Sequence, residues 1–121
     1  METILVRSGW QWVNIGDVGH AVGALEMLGR HLPDTRRVLW PMGLGEDCER
    51  WLRDRFPTVD LVHGNLTADG STDSAALEKA IRDADFLFHG SGANVKTGDL
   101  LGWKRATGGK PYGIFGVTVD P

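Results

Sequence analysis

Short apolar runs alternate with longer stretches of helical periodicity from one end of the chain to the other. Ile4-Leu5-Val6 is brief, β-branched and ended by Ser8-Gly9, which predicts a buried strand. Val18, Val22, Leu25, Leu28 and Leu32 then recur at helical spacing; Asp17 can cap that helix and Pro33 stops it, so a helix over 17–32 is expected. Arg37-Val38-Leu39-Trp40 predicts a second strand, ended by Pro41-Met42-Gly43-Leu44-Gly45. From Glu46 to Phe56, Cys48, Trp51, Leu52 and Phe56 fall on one helical face, before Pro57. A third strand is expected from Val59 to His63. Asp73 or Ser74 then caps a helix to Ala84, with Ala76, Leu77, Ala80, Ile81 and Ala84 facing inward and Glu78 and Arg82 spaced as an i,i+4 pair. Phe86-Leu87-Phe88 predicts a fourth strand running into a His89–Asn94 loop, Asp99 through Arg105 a short helix, and Tyr112 to Val119 a fifth strand.

Strictly alternating strands and helices, with strands that are apolar throughout, predict an α/β fold: a doubly wound, five-stranded parallel sheet with helices on both faces, a Rossmann-like arrangement. The expected strand order is 3-2-1-4-5, with a ligand crevice outside the carboxyl ends of strands one and four, where the winding reverses. Residues 1–121 have the size of a single domain. The final Asp120-Pro121 follows directly on the fifth strand, so the expectation is an amino-terminal lobe of a larger two-domain protein.

Composition removes several functions. Cys48 is the only cysteine and no Cys/His cluster has zinc spacing, which excludes a disulfide scaffold and a zinc finger and points to a reducing cytoplasm. No apolar run reaches signal-peptide or membrane-spanning length. The 13 Lys and Arg are interspersed with 16 Asp and Glu, leaving no basic footprint for nucleic acid. Glycine is the unusual residue: 17 of 121 positions, against a usual share of about 7%. Most glycines follow a short apolar run, where a strand ends and backbone must turn or approach a ligand.

Two segments on either side of the expected crevice can carry chemistry. The first runs from Ser8 to Asp17 and opens into a helix, presenting free N–H groups at Val18, Gly19 and His20 that suit a phosphate or carboxylate. Asn14 and Asp17 serve equally as turn residue and N-cap, and His20 can add a charge or a proton. Trp10 and Trp12, two apart, form either a stacking platform for a sugar ring or part of the core. The segment is neither a phosphate-binding P-loop nor G-x-G-x-x-G, which argues against a nucleoside triphosphatase or a dinucleotide dehydrogenase. The second segment is His89-Gly90-Ser91-Gly92-Ala93-Asn94. Here His89 is a candidate base and Ser91 a hydrogen-bond donor, although the sequence offers no carboxylate nearby to complete a triad, and a structural role for His89 fits as well. His63-Gly64-Asn65 repeats the pattern further from the crevice, and Lys96, Lys104 and Lys110 read as solvated. No metal site and no cofactor is expected.

The stretch Trp12-Val13-Asn14-Ile15-Gly16-Asp17-Val18-Gly19-His20 resembles the amino-terminal signature of the polysaccharide pyruvyl transferase family, which usually reads Asn-x-Gly-Asp there. The resemblance continues through Leu39-Trp40-Pro41, Asp85-Phe86-Leu87-Phe88-His89-Gly90-Ser91-Gly92 and Lys110-Pro111-Tyr112-Gly113-Ile114-Phe115-Gly116-Val117-Thr118, nearly the whole chain. Ser91 stands where the family commonly continues a glycine run. The resemblance implies one half of a fold similar to B-type glycosyltransferases. It also implies transfer of the enolpyruvyl-derived group of phosphoenolpyruvate to a sugar as a ketal, without a metal. On that basis Asn14, Gly16 and Asp17 shape the first cleft loop, Gly90, Ser91 and Gly92 the second, and His20 and His89 approach substrate. A second domain bringing arginine and histidine to the donor would lie beyond Pro121.

Two rival readings remain from the residues themselves. One is a stand-alone module that binds an anionic metabolite without catalysis; the other is a lobe of a glycosyltransferase using a nucleotide sugar. A phosphoacceptor receiver domain is excluded, because Arg7-Ser8 and His63 occupy the places that need acidic residues.

Overall fold

In a computed structural model, residues 2–8, 15–41, 46–94 and 97–118 are described, with backbone alone at 8, 15–21, 90–94, 97 and 115–118. Five strands, β1 (Thr3–Ser8), β2 (Arg36–Pro41), β3 (Asp60–Leu61), β4 (Phe86–Asn94) and β5 (Tyr112–Thr118), alternate with four helices. These are α1 (Ile15–His31), α2 (Glu46–Arg55), α3 (Ala75–Asp83) and α4 (Thr97–Thr107). The sheet order is β3-β2-β1-β4-β5 and each neighbouring pair is parallel, the α/β, Rossmann-like arrangement the pattern predicts.

Strand alternation divides the core into two clusters. Ile4 and Val6 of β1 and Leu39 of β2 join Leu25 and Leu28 of α1 and Leu52 of α2. Leu5, Val38, Trp40 and Leu87 join Leu77 and Ile81 of α3 and Trp103 of α4 on the other. Successive strand residues point to opposite faces, so a strand covered twice has no polar side, which is why the strand runs are apolar throughout. Trp103, fully buried, also ties α4 to the approach of β5 by donating from Nε1 to the Lys110 carbonyl at 2.8 Å.

Several elements differ from the sequence expectation. The first helix begins at Ile15, so Asp17 lies inside its first turn and not at the cap. Its free N–H groups therefore include those of Ile15, Gly16 and Asp17, while the Val18, Gly19 and His20 N–H groups fall within the hydrogen-bonded ladder. The helix ends at His31, leaving Leu32 beyond it and 45% exposed. The third strand shrinks to Asp60–Leu61, since an edge strand bonds on one side only, yet Val59 and Val62 remain buried beside it.

β4 does not stop at Phe88. Pairing with β5 carries it through His89, Gly90, Ser91 and Gly92 to Asn94, with a register irregularity between Gly92 and Asn94, so the expected loop is strand. The fourth helix gains two residues at each end. On α2, Trp51 is exposed because Cys48, Leu52 and the following Phe56 already fill the inward stripe. Ala76 is exposed on α3, whose inward positions are Leu77, Ala80 and Ile81. Ser74 caps α3 by accepting from the Leu77 N–H at 3.2 Å, while Asp73 accepts instead from the Asn65 backbone and side chain. The i,i+4 pair on α3 is Lys79–Asp83 and not Glu78–Arg82, whose cation lies 3.9 Å from Asp83. Lys110 is not simply solvated: its Nζ donates to the carbonyls of Arg82 at 2.9 Å and Ala84 at 2.6 Å, neutralising the carboxyl end of α3.

Among the described residues no helix is long and apolar enough to cross a membrane.

Candidate site at the carboxyl edge of β1 and β4

The point where the sheet order changes direction lies between β1 and β4. Parallel register sets Arg7 of β1 beside Trp40 of β2 and His89 of β4, so the three side chains leave the same face of the sheet. That face also carries α4, whose first turn supplies Asp99. The carboxylate meets both neighbours through one oxygen. Arg7 Nε donates to Asp99 Oδ2 at 3.0 Å, and His89 Nε2 lies 3.3 Å from the same atom. Arg7 also reaches backbone: Nη1 donates to the Pro41 carbonyl at 3.2 Å and, longer, to that of Trp40 at 3.5 Å. Its guanidinium stacks over the Trp40 ring at 3.9 Å from the centroid, a cation–π contact. Trp40 Nε1 in turn donates to the Gly64 carbonyl at 2.9 Å.

All three titratable groups are buried, with Arg7 7%, His89 3% and Asp99 7% exposed. Burial pushes the Arg7 guanidinium down from its usual value, opposed by the charge and hydrogen bond of Asp99. For Asp99 burial pushes the carboxyl up. The His89 hydrogen bond, with the charge and hydrogen bond of Arg7, outweighs it and holds the group below the ordinary carboxylate range. Its place in the first turn of α4 acts in the same direction, because an anion is favoured at a helix amino end.

The ionised carboxylate orients the His89 ring through Nε2. An acceptor-only oxygen facing Nε2 requires a ring hydrogen to be there. The other ring nitrogen, Nδ1, is buried and has no hydrogen-bond partner among the described residues. An unsatisfied buried polar atom costs about 1–3 kcal/mol, so the position favours a group that supplies a hydrogen-bond partner.

Of this cluster the sequence singles out His89 alone. In the sequence Arg7 stands out only where a receiver domain needs acid, and Asp99 only as the start of a helix. The signal was a charge at an inward position of an otherwise apolar strand, two residues after Leu5 on the same face, which demands a partner. Of the other candidates, Gly16, Asp17 and His20 lie in the first two turns of α1, which follows β1 and so starts at the same carboxyl edge. Gly90, Ser91 and Gly92 continue β4 past His89 toward that edge. Asn14, Trp10 and Trp12 lie outside the described residues. His63 belongs to a separate, exposed group, its Nε2 at 3.4 Å from Glu49, which also accepts from Arg53 at 2.9 Å. Hydrogen bonds from Arg53 and His63 hold the Glu49 carboxyl down.

Neither of two cavities among the described residues includes Arg7, His89 or Asp99. One of about 400 Å³ lies between α3 and α4, beside Ile81, Arg82, Thr107 and Lys110. The other, about 300 Å³, lies under the amino ends of β1 and β4 beside Ile4, Leu28, Leu32 and Phe86. No group of three or more His, Cys, Asp or Glu among the described residues is placed to hold a metal ion. Compared with known protein families, curated proteins and solved structures, the chain matches none.

Proposed function

We propose that the chain is the amino-terminal lobe of a pyruvyl transferase-like enzyme. It transfers the enolpyruvyl-derived group of phosphoenolpyruvate to a sugar of a cell-surface polysaccharide, in the cytoplasm. Two sugar hydroxyls become bonded to C2, C3 gains one proton to become methyl, and the C2–O bond to phosphate breaks; the second hydroxyl proton leaves with the phosphate or solvent. This is acid–base work at a carbon, which a histidine held by a carboxylate performs well. The observation that carries the reading is His89 itself, held by Asp99 at 3.3 Å at the β1–β4 switch point, with its other nitrogen unpartnered among the described residues. The resemblance of the Asn14-Ile15-Gly16-Asp17 and Phe88-His89-Gly90-Ser91-Gly92 segments to the transferase family supports the choice of substrates.

The test supplies the full-length polypeptide with labelled phosphoenolpyruvate and methyl glycosides, and separately with labelled nucleotide sugars. Phosphoenolpyruvate is consumed, and His89→Ala lowers turnover at least about a hundredfold, the lower end of what acid–base groups contribute, with unchanged circular dichroism. Consumption of the nucleotide sugar instead identifies a glycosyltransferase lobe, and turnover unchanged by His89→Ala removes His89 from the chemistry.

A further inference from the structure

We infer that the groove between α3 and α4 binds a small zwitterion, a free amino acid whose ammonium meets Glu78 and whose carboxylate meets Arg82. Arg82, shortly before β4, and Lys110, shortly before β5, place the groove toward the amino edge of the sheet, opposite the Arg7–Asp99 cluster, so it stands independently of the transferase reading. Its ground is a pair of opposite charges that do not satisfy each other. Glu78 and Arg82 are four residues apart on α3 with the acid nearer the amino end, the spacing and order that favour an ion pair. Both line the cavity of about 400 Å³. Among the described residues the Glu78 carboxylate nevertheless has no ion pair or hydrogen bond, and the Arg82 guanidinium approaches a carboxylate only at 3.9 Å, that of Asp83, which Lys79 already holds at 2.7 Å.

The walls around these charges are fastened. Gly70 and Thr72 line the cavity from a segment closed on itself by the Leu66–Thr72 bridge and held to α4 by Arg105, whose Nη1 donates to the Ala68 carbonyl at 3.0 Å. Lys110 joins the two helices: its Nζ donates to the carbonyls of Arg82 and Ala84, and its backbone N–H to Thr107 Oγ1 at 3.1 Å. An ammonium has three hydrogens, so one remains for the carboxylate that Arg82 receives. Ile81 and Ala106 add apolar lining that suits a carbon skeleton. A phosphate or a plain carboxylate is drawn to Arg82 and Lys110 but repelled by Glu78, and an amine the reverse; a ligand carrying both signs uses both. Pairing of Glu78 with Arg82 competes weakly, because an exposed i,i+4 ion pair is worth little.

The experiment is isothermal titration of the protein with each of the common amino acids and with inorganic phosphate. Saturable binding of at least one amino acid is expected, one molecule per chain. Its analogues without the amino group or without the carboxylate bind at least about tenfold more weakly, the low end of what a hydrogen bond to a charged group contributes. Glu78→Gln and Arg82→Gln, both at exposed positions of α3 where glutamine suits the helix, weaken the amino acid by a similar factor with unchanged circular dichroism. The two variants differ in the analogues they affect: Glu78→Gln does not weaken the one without the amino group, and Arg82→Gln does not weaken the one without the carboxylate. No saturable binding of any amino acid, an analogue or phosphate that binds as tightly as the amino acid, or variants that bind it like wild type would overturn the inference.

Discussion

Arg7 and His89 are register partners across the β1–β4 pair, and both end on the same carboxylate oxygen, that of Asp99. Two strands and the helix that joins the sheet at the switch point are therefore fastened by one buried charge cluster. Its stability consequence has a sign. Asp99→Ala strands a buried guanidinium and is expected to cost about 3–5 kcal/mol. Arg7→Met with Asp99→Leu removes both charges at similar volume and is expected to be clearly less destabilising than Asp99→Ala alone. Urea unfolding midpoints of wild type, Asp99→Ala, Arg7→Met, Asp99→Leu and the double variant decide it; a double variant that loses the sum of its two singles would show that the charges are not coupled.

Acid should loosen the fold through the same carboxylate. A group whose folded pKa is depressed contributes stability that is fully present above its unfolded value, about 3.9 for aspartate, and is lost as the pH falls through the folded value. Asp99 is held down in this way, so wild-type stability is expected to fall below about pH 4, and more steeply than that of Asp99→Asn. Glu49, Asp69, Asp73 and Asp83 are shifted in the same direction but lie at the surface, where salt screens their share. Unfolding curves at raised ionic strength isolate the buried contribution. Parallel pH profiles for wild type and Asp99→Asn would contradict the assignment.

Two helical glycines should respond oppositely to alanine. Gly23, exposed in the middle of α1, has open space around an added Cβ, and Gly23→Ala is expected to stabilise by up to about 1 kcal/mol from helix propensity. At buried Gly102 of α4 a Cβ would strike the Thr67 carbonyl and approach Leu66 Cγ to 2.7 Å. Backbone cannot step aside as a side chain does, so overpacking of about 1–3 kcal/mol outweighs the propensity gain. Thermal denaturation of both variants checks the pair, and a stabilising Gly102→Ala would show that the 66–72 segment yields.

These residues show what the sequence made legible. Element order, parallel pairing and the switch point followed from the apolar strands and the proline and glycine stops, because those signals are local. β4 was read too short for the same reason: Gly90 and Gly92 look like breakers in one dimension, while ladder bonds to Phe115 and Val117 of β5 hold them in strand. Asp99 could not be matched to His89 from sequence, since only the return of α4 over the sheet brings the two together. Arg7 was within reach, as a buried charge always implies a partner, but its identity was set by tertiary structure alone.

The transferase reading stands most directly on the fate of the donor's methylene carbon. Phosphoenolpyruvate labelled with ¹³C at C3, incubated with the protein and methyl glycosides, is expected to lose its vinylic signal and gain the methyl signal of a ketal, with phosphate released in step. The conversion should be suppressed in His89→Ala. A vinylic signal that persists with every glycoside, or a methyl signal that forms at the same rate without His89, would contradict it.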